Sequence, residues 1–498
     1  MEIIFESRDT SVYREYCNQI RRTQESVECV VPDTEADIEK IASAQSGVYL
    51  KSKDLSARGV VISGEVFATV LYIRDGQAGI SSIRVRKAFT LEYEADAPES
   101  ETLTQIALYV QGTDVRVINP RKISVSFEIE GVLSCYRNER LCVETVLPDS
   151  TAGLHIKTET QTLTLPNAVC EKSFSLNEQF VFSDGQTAPT CLISEKASLQ
   201  ISDCQLLGSK MVVKGSAELM ICGQSDKDAI LRTYQYSAPF SQIIDIGAEG
   251  MQYCTVRPEL TGAYFDLIDT ISGEKALDLE LHAVIQLVCF ECRTIRCVSD
   301  AYSNSMPGEL VRRTLEFALA SEAAVETLRT EERVGLMEKC AELVTVFPSL
   351  SRVSSDDGKL SAAVTLDFLY FDADGKLSAC RRTIALTEDL EGRQLQILRI
   401  GPVQWSAKPD GEYADCSVSV QLICCACENE TISSVTGIVL DEERAYLQGS
   451  LPSLTLARRE GESLWALAKR YHSSEEKIRE LNEDADNSTR MLLIPKCI

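Results

Sequence analysis

The sequence predicts a mainly β protein: three tandem antiparallel β-rich domains of about 150 residues each, then a small β-α-α-β module at the C-terminal end. Three observations carry this. An apolar anchor strand recurs at Val60–Tyr72, Met211–Ile221 and Leu360–Tyr370, with Gly64, Gly215 and Ala362 in equivalent places 151 and 147 residues apart. Downstream of each anchor lies a run of strict apolar/polar alternation, the mark of half-buried antiparallel strands. The last 48 residues instead show helical spacing.

Taken in order, residues 1–150 form the first unit, 151–305 the second, 306–448 the third and 449–498 the terminal module. In the first unit Ile123, Val125, Phe127 and Ile129 alternate with Ser124, Ser126, Glu128 and Glu130. In the second, Leu277, Leu279, Leu281 and Ala283 do the same, and in the third Cys416, Val418, Val420 and Leu422. Asp75-Gly76 and Asp374-Gly375 follow the anchor strand where a hairpin needs residues tolerant of positive φ. Two segments read as helix. Pro32 to Ala44 places Ile38, Ile41 and Ala42 on one side, with acids in its first turn. Glu309 to Leu328, rich in Ala, Leu, Glu and Arg, is expected to open the third unit as a helical segment.

In the terminal module Leu464, Leu467, Ala468 and Tyr471 fall at i, i+3, i+4 and i+7, opposite Lys469 and Arg470. A second helix over Ser474–Leu481 offers Ile478 and Leu481 as its matching stripe, and Ser473 with Glu476 has capping-box spacing. Strands at Leu454–Ala457 and Met491–Ile494 bracket the pair. Trp465 is expected either to close the small core or to stand at its edge as a partner anchor.

This module resembles the LysM family through Gly461-Glu462-Ser463-Leu464-Trp465, Asn482 and Leu492-Leu493-Ile494-Pro495. The resemblance implies a binding role and a contact set of Arg458, Gly461, Glu462, Ser463, Leu464, Trp465, Asn482 and Arg490. LysM modules that hold N-acetylglucosamine glycans use the loop before the last strand, commonly Pro-Gly-Gln. Here it is Ser488-Thr489-Arg490, preceded by acidic residues at 483, 484 and 486. That departure turns the expectation from peptidoglycan to a protein ligand, with glycan binding as the alternative. The whole layout resembles SipL-like spore-coat morphogenetic proteins of clostridial spore formers, whose repeats open with a segment similar to Pro32–Ile41 and the strand at Gly64. That resemblance implies a non-enzymatic mother-cell adaptor. It would join the coat basement layer to the forespore by binding a SpoIVA-like coat ATPase through the LysM module, leaving the repeats to other coat proteins.

Composition is globular, with 44% hydrophobic and 25% charged residues. The formal charge of −25 speaks against nucleic acid, and it resides outside residues 451–498, where acids and bases balance. The N-terminus lacks a basic stretch followed by an apolar run, and no apolar stretch is long enough to span a bilayer, so the expected location is the cytoplasm. Nineteen scattered cysteines are expected to be reduced and mostly buried. The clusters Cys289/Cys292/Cys297 and Cys424/Cys425/Cys427 leave zinc as the lesser alternative. No P-loop, Gly-x-Ser-x-Gly or His-Glu-x-x-His motif occurs, and Gly208-Ser-Lys210 reads as a turn. Of the three histidines, His282 belongs on the solvent side of a strand and His472 in the turn between the tail helices; His155 has no recognisable catalytic neighbour. Asp372-Ala-Asp374-Gly375 has its glycine too early for a calcium loop and reads as a hairpin. No cofactor, metal or catalytic residue is expected.

Overall fold

The computed structural model describes residues 2–56, 58–77, 79–95, 102–146, 153–182, 187–225, 231–271, 273–356, 358–446, 453–459, 461–483 and 490–497. A short strand β1 (Glu2–Ile4) precedes three sets of strands. The first holds β2 (Glu6–Val30), β3 (Ile38–Ser56), β4 (Gly59–Arg74), β5 (Ile80–Glu94), β6 (Leu103–Asn119) and β7 (Lys122–Val146). The second holds β8 (Leu154–Val181), β9 (Cys191–Leu207), β10 (Lys210–Gln224), β11 (Leu231–Asp245), β12 (Met251–Asp269) and β13 (Lys275–Ser303). The third holds β14 (Gly308–Ala320), β15 (Ala324–Gly335), β16 (Cys340–Asp356), β17 (Lys359–Asp372), β18 (Leu377–Asp389), β19 (Leu395–Asp410) and β20 (Tyr413–Leu440).

Each set makes two antiparallel sheets of the same topology. The inner sheet is a meander, β3-β4-β5, β9-β10-β11 or β16-β17-β18. In the outer sheet of the first two sets the first and fifth strands flank the sixth, β2-β7-β6 and β8-β13-β12; in the third set, of seven strands, β14, β15 and β19 pair with the last strand, β20. The alternation legible in the sequence turns one face of each sheet onto the other. Val60, Ile62, Phe89 and Leu91 meet Ile123, Val125, Phe127 and Ile129 in the first core. Leu360, Val364 and Phe368 meet Val418, Val420 and Leu422 in the third.

The anchor glycines have a cross-strand cause. Gly64 lies opposite Phe89 and Gly215 opposite Phe240. A β-carbon at Gly64 would stand 2.3 Å from the Phe89 ring, and one at Gly215 2.7 Å from the Phe240 ring. In the third repeat Ala362 faces the slimmer Leu386, so the position tolerates a methyl group.

The repeats close head to tail. β3 packs on β12, β9 on β19 and β16 on β6, so the first inner strand of each repeat meets the next-to-last strand of the next. β1 completes the circuit by pairing with β20, Glu2 opposite Val439. An apolar plug draws on all three repeats: Leu71 and Ile73, then Ile193 and Cys222, then Phe347 and Leu369.

Both helices expected in the repeats are strands. Pro32 to Asp37 is a turn and extended segment, and β3 starts at Ile38. Bulges between Ile38 and Lys40 and between Ile41 and Ser43 break its alternation, which is why the apolar spacing there imitates a helix. Glu309–Leu328 falls on β14 and β15, both paired with β20. The 28-residue β20 presents backbone donors and acceptors that a helix could not satisfy, and this outweighs the helix propensity of the segment. The turns match their reading: Gly76, Gly208 and Gly375 take φ of +66°, +60° and +74°. Asp372 Oδ1 accepts the amides of Asp374 and Lys376, each at 2.9 Å, as a hairpin turn.

The uniformly reduced cysteines need one correction. Cys254 and Cys289, opposite each other on β12 and β13 with Cα atoms 4.1 Å apart, are joined in a disulfide. Cys292 is exposed and Cys297 buried. Cys424 and Cys425 point to opposite faces of β20, Cys424 into the third core and Cys425 toward Gln396. Among the described residues no three His, Cys, Asp or Glu stand together as a metal site, and no helix is long and apolar enough to cross a membrane.

Candidate functional site

The tail forms β21 (Leu454–Arg458), α1 (Leu464–Arg470), α2 (Glu475–Leu481) and β22 (Met491–Pro495). β21 and β22 pair antiparallel, with Ala457 opposite Leu492 and Leu456 opposite Leu493. Because a strand alternates faces, Ala457, Leu492 and Ile494 turn inward onto Leu467, Ala468 and Ile478 of the helices. Leu464, Trp465 and Tyr471 complete the α1 face, whereas Leu481 is exposed rather than part of the α2 stripe. Ser463 caps α1 by accepting the Ala466 amide at 3.2 Å. The cap of α2 is Ser474, which accepts the Lys477 amide at 3.3 Å. The capping spacing is therefore one residue later than Ser473 and Glu476 suggested, and Ser473 is buried in the turn. His472 occupies that turn at φ +54°, with its ring 3.8 Å from Tyr446.

Several expected contact residues are spent on the module itself. Asn482 clamps the end of α2 to β22: its amide nitrogen donates to the carbonyls of Ile478 and Leu493, each at 2.7 Å, and its oxygen accepts the Leu493 amide at 2.9 Å. Gly461 takes φ +81° with open space around it. The Glu462 carboxylate pairs with Arg470, while its carbonyl accepts from Arg459 Nε at 2.8 Å. Arg458 and Arg490 are exposed at one end of the β21–β22 ribbon, where the Arg490 carbonyl accepts the Arg459 amide at 2.7 Å. Residues 484–489, including Ser488 and Thr489 of the loop that departs from the LysM pattern, lie outside the described residues, as does Glu460.

Trp465 reaches beyond the module. Its Nε1 donates to Asp300 Oδ2 at 2.7 Å, and Lys469 Nζ donates to Asp300 Oδ1 at 2.6 Å. The Trp465 ring meets Tyr302 edge to face at 4.9 Å, and the Tyr302 hydroxyl donates to the Ser473 carbonyl at 2.9 Å. Tyr302, near the end of β13, thus belongs to the core of the tail. It stacks in turn on His155, whose Nε2 accepts from Asn304 at 2.7 Å. Burial alone would raise the Asp300 carboxyl, but hydrogen bonds from Lys469 and Trp465 outweigh it and hold the group below its ordinary value. Burial lowers His155 and His472 and raises Tyr302. Nothing in the sequence pattern near residue 300 points to this contact, which joins positions more than 160 residues apart.

With Trp465 turned inward, the outer face of the ribbon is left to solvent. Leu454, Leu456, Met491 and Leu493 are all exposed on it, and the register places Leu456 beside Leu493. Neither the Asp300–Tyr302 latch nor this apolar face figured among the residues expected to bind.

Residues 459–494 match the LysM domain family. No curated protein and no solved structure matches the chain significantly. The match assigns the tail a binding role, toward peptidoglycan or protein.

Proposed function

We propose that the chain is a non-enzymatic adaptor whose LysM module binds a protein partner, and that it works in endospore formation. In this reading it stays in the mother-cell cytoplasm and is recruited to the forespore surface, where the tail docks a SpoIVA-like coat ATPase. The observation that carries the protein-binding reading is the exposed apolar face of Leu454, Leu456, Met491 and Leu493, with Arg458 and Arg490 at its end. Contiguous apolar surface bordered by charge suits a protein interface, where apolar burial drives association and charges set orientation. Trp465, the aromatic a sugar ring would stack on, is committed to Asp300 and Tyr302. The sporulation setting rests on the resemblance of the layout to SipL-like proteins.

The test uses the full chain and a purified SpoIVA-like ATPase. Leu456→Asp and Arg490→Glu are each expected to weaken the complex by at least about tenfold, with the melting temperature little changed. Full binding by both variants would remove the ribbon face as the docking surface. Saturable binding to purified cell wall, competed by N-acetylglucosamine oligomers, would move the function to glycan recognition.

A further inference from the structure

Arg257, on β12, keeps only 2% of its surface exposed. Its Nε and Nη1 are buried with no hydrogen-bond partner, and it forms no ion pair among the described residues. The side chain borders a cavity of about 30 Å³, room for one ion or one water. All three repeats wall this cavity. Gln105 comes from β6, Arg257 and Thr255 from β12, and Gln396 and Leu398 from β19, so the next-to-last strands converge on it. The Gln105 side-chain nitrogen is a second buried donor without a partner. Thr255 and Gln396 are engaged elsewhere: the Thr255 hydroxyl donates to the Val288 carbonyl at 3.5 Å, and Gln396 Oε1 accepts from the thiols of Cys425 and Cys427.

A guanidinium cannot lose its proton inside a protein, so burial leaves it in need of a counter-charge. Two carboxyl groups feel Arg257 through space without touching it. Glu15, in the cavity wall, accepts from Asn18 Nδ2 at 2.9 Å, and Glu259 accepts the Leu108 amide at 3.3 Å. Burial raises both, Glu259 to about 8, which draws each toward its neutral form. We propose that the cavity holds a small monovalent anion, a halide such as chloride, paired with Arg257 and hydrogen-bonded by Gln105. Size and charge select this class. A water molecule would fill the space but leave the guanidinium uncompensated, a metal cation would be repelled by it, and sulfate or an organic carboxylate is too large. The bound ion joins strands of different repeats, so closure of the ring is strengthened by halide. The site draws on the ring alone and does not depend on what the tail binds.

Thermal unfolding of the full chain in sodium chloride, sodium bromide and sodium gluconate at equal ionic strength tests it, together with the chloride NMR line width. Chloride and bromide are expected to raise the melting temperature saturably, by at least about 2 °C, where gluconate does not. The protein should broaden the chloride line, and bromide should reverse the broadening. Arg257→Met replaces the charge with an apolar chain and should lose both effects, melting alike in all three salts. Gln105→Leu keeps the cation and removes one donor, so it guards against a failure of the first variant to fold; its half-saturating chloride concentration should rise about fivefold. Equal melting in chloride and gluconate with an unbroadened chloride line, a halide response that survives in Arg257→Met, or unchanged half-saturation in Gln105→Leu would each overturn the proposal.

Discussion

In each of the three repeats the strands bury two sheet faces against one another, so Val60 meets Phe127 and Leu360 meets Val420 within one repeat. The tail has two short helices and two five-residue strands, and its core takes in Tyr302 from β13. The difference follows from size. Small domains bury a smaller share of their surface, and a module this short gains from borrowed aromatic area and a fixed polar latch. The contacts of Trp465 with Asp300 and Tyr302 join the LysM module to the end of β13.

The comparison breaks most severely at Tyr302. Tyr302→Ala should cost the tail about 4 kcal/mol by removing a buried aromatic. Amide exchange is the measurement: protection should fall across α1 and α2 and hold in β4 and β7. A uniform loss over the whole chain would show that ring and tail unfold as one unit. Gly64→Val reverses the pattern. The side chain would drive into Phe89, costing about 3 kcal/mol in the first repeat as read by denaturant unfolding, with the contacts of the tail untouched. At the equivalent Ala362, which already carries a β-carbon opposite Leu386, substitution by Val should cost less.

The mildest test is acid. Burial lowers His155 and His472 in the folded state, so their contribution is complete above the unfolded value of about 6.5 and is lost as pH falls through the lower folded values. Asp300 is likewise held low, so its contribution is complete above about pH 4 and is lost as pH falls further. Exchange protection of the tail should therefore decline in two stages on acidification. Asp300→Asn should abolish the second stage and leave the first, and persistence of both stages in that variant would exclude Asp300 as the acid-sensitive latch.

Much of the architecture is legible in local pattern. Strict alternation in Ile123–Ile129 and Leu277–Ala283 marks the faces that became the cores, and recurrence of the anchor strand reveals the threefold repetition. In the tail, Leu467, Ala468 and Ile478 are buried as their spacing indicates. These features depend only on which face of a strand or helix is apolar, a property written in consecutive residues. Ser463, expected as a contact residue, instead caps α1. The contact residues were harder: Asn482 turned out to be a clamp within the module, and the apolar ribbon face looked from the sequence like an ordinary strand pair.

What tertiary structure alone decided is which partner each pattern meets. Glu309–Leu328 has the composition of a helix and became strands because β20 offered an unpaired edge. Bulges in β3 gave Pro32–Ala44 a false helical spacing, since a bulge changes alternation without leaving a sign in composition. Cys254 and Cys289 are two of nineteen scattered cysteines until register sets them face to face. The Asp300–Trp465 latch joins residues from distant parts of the chain. Local sequence encodes the face that must be covered, while the residue that covers it is chosen by chain closure, where contacts far apart in sequence settle together.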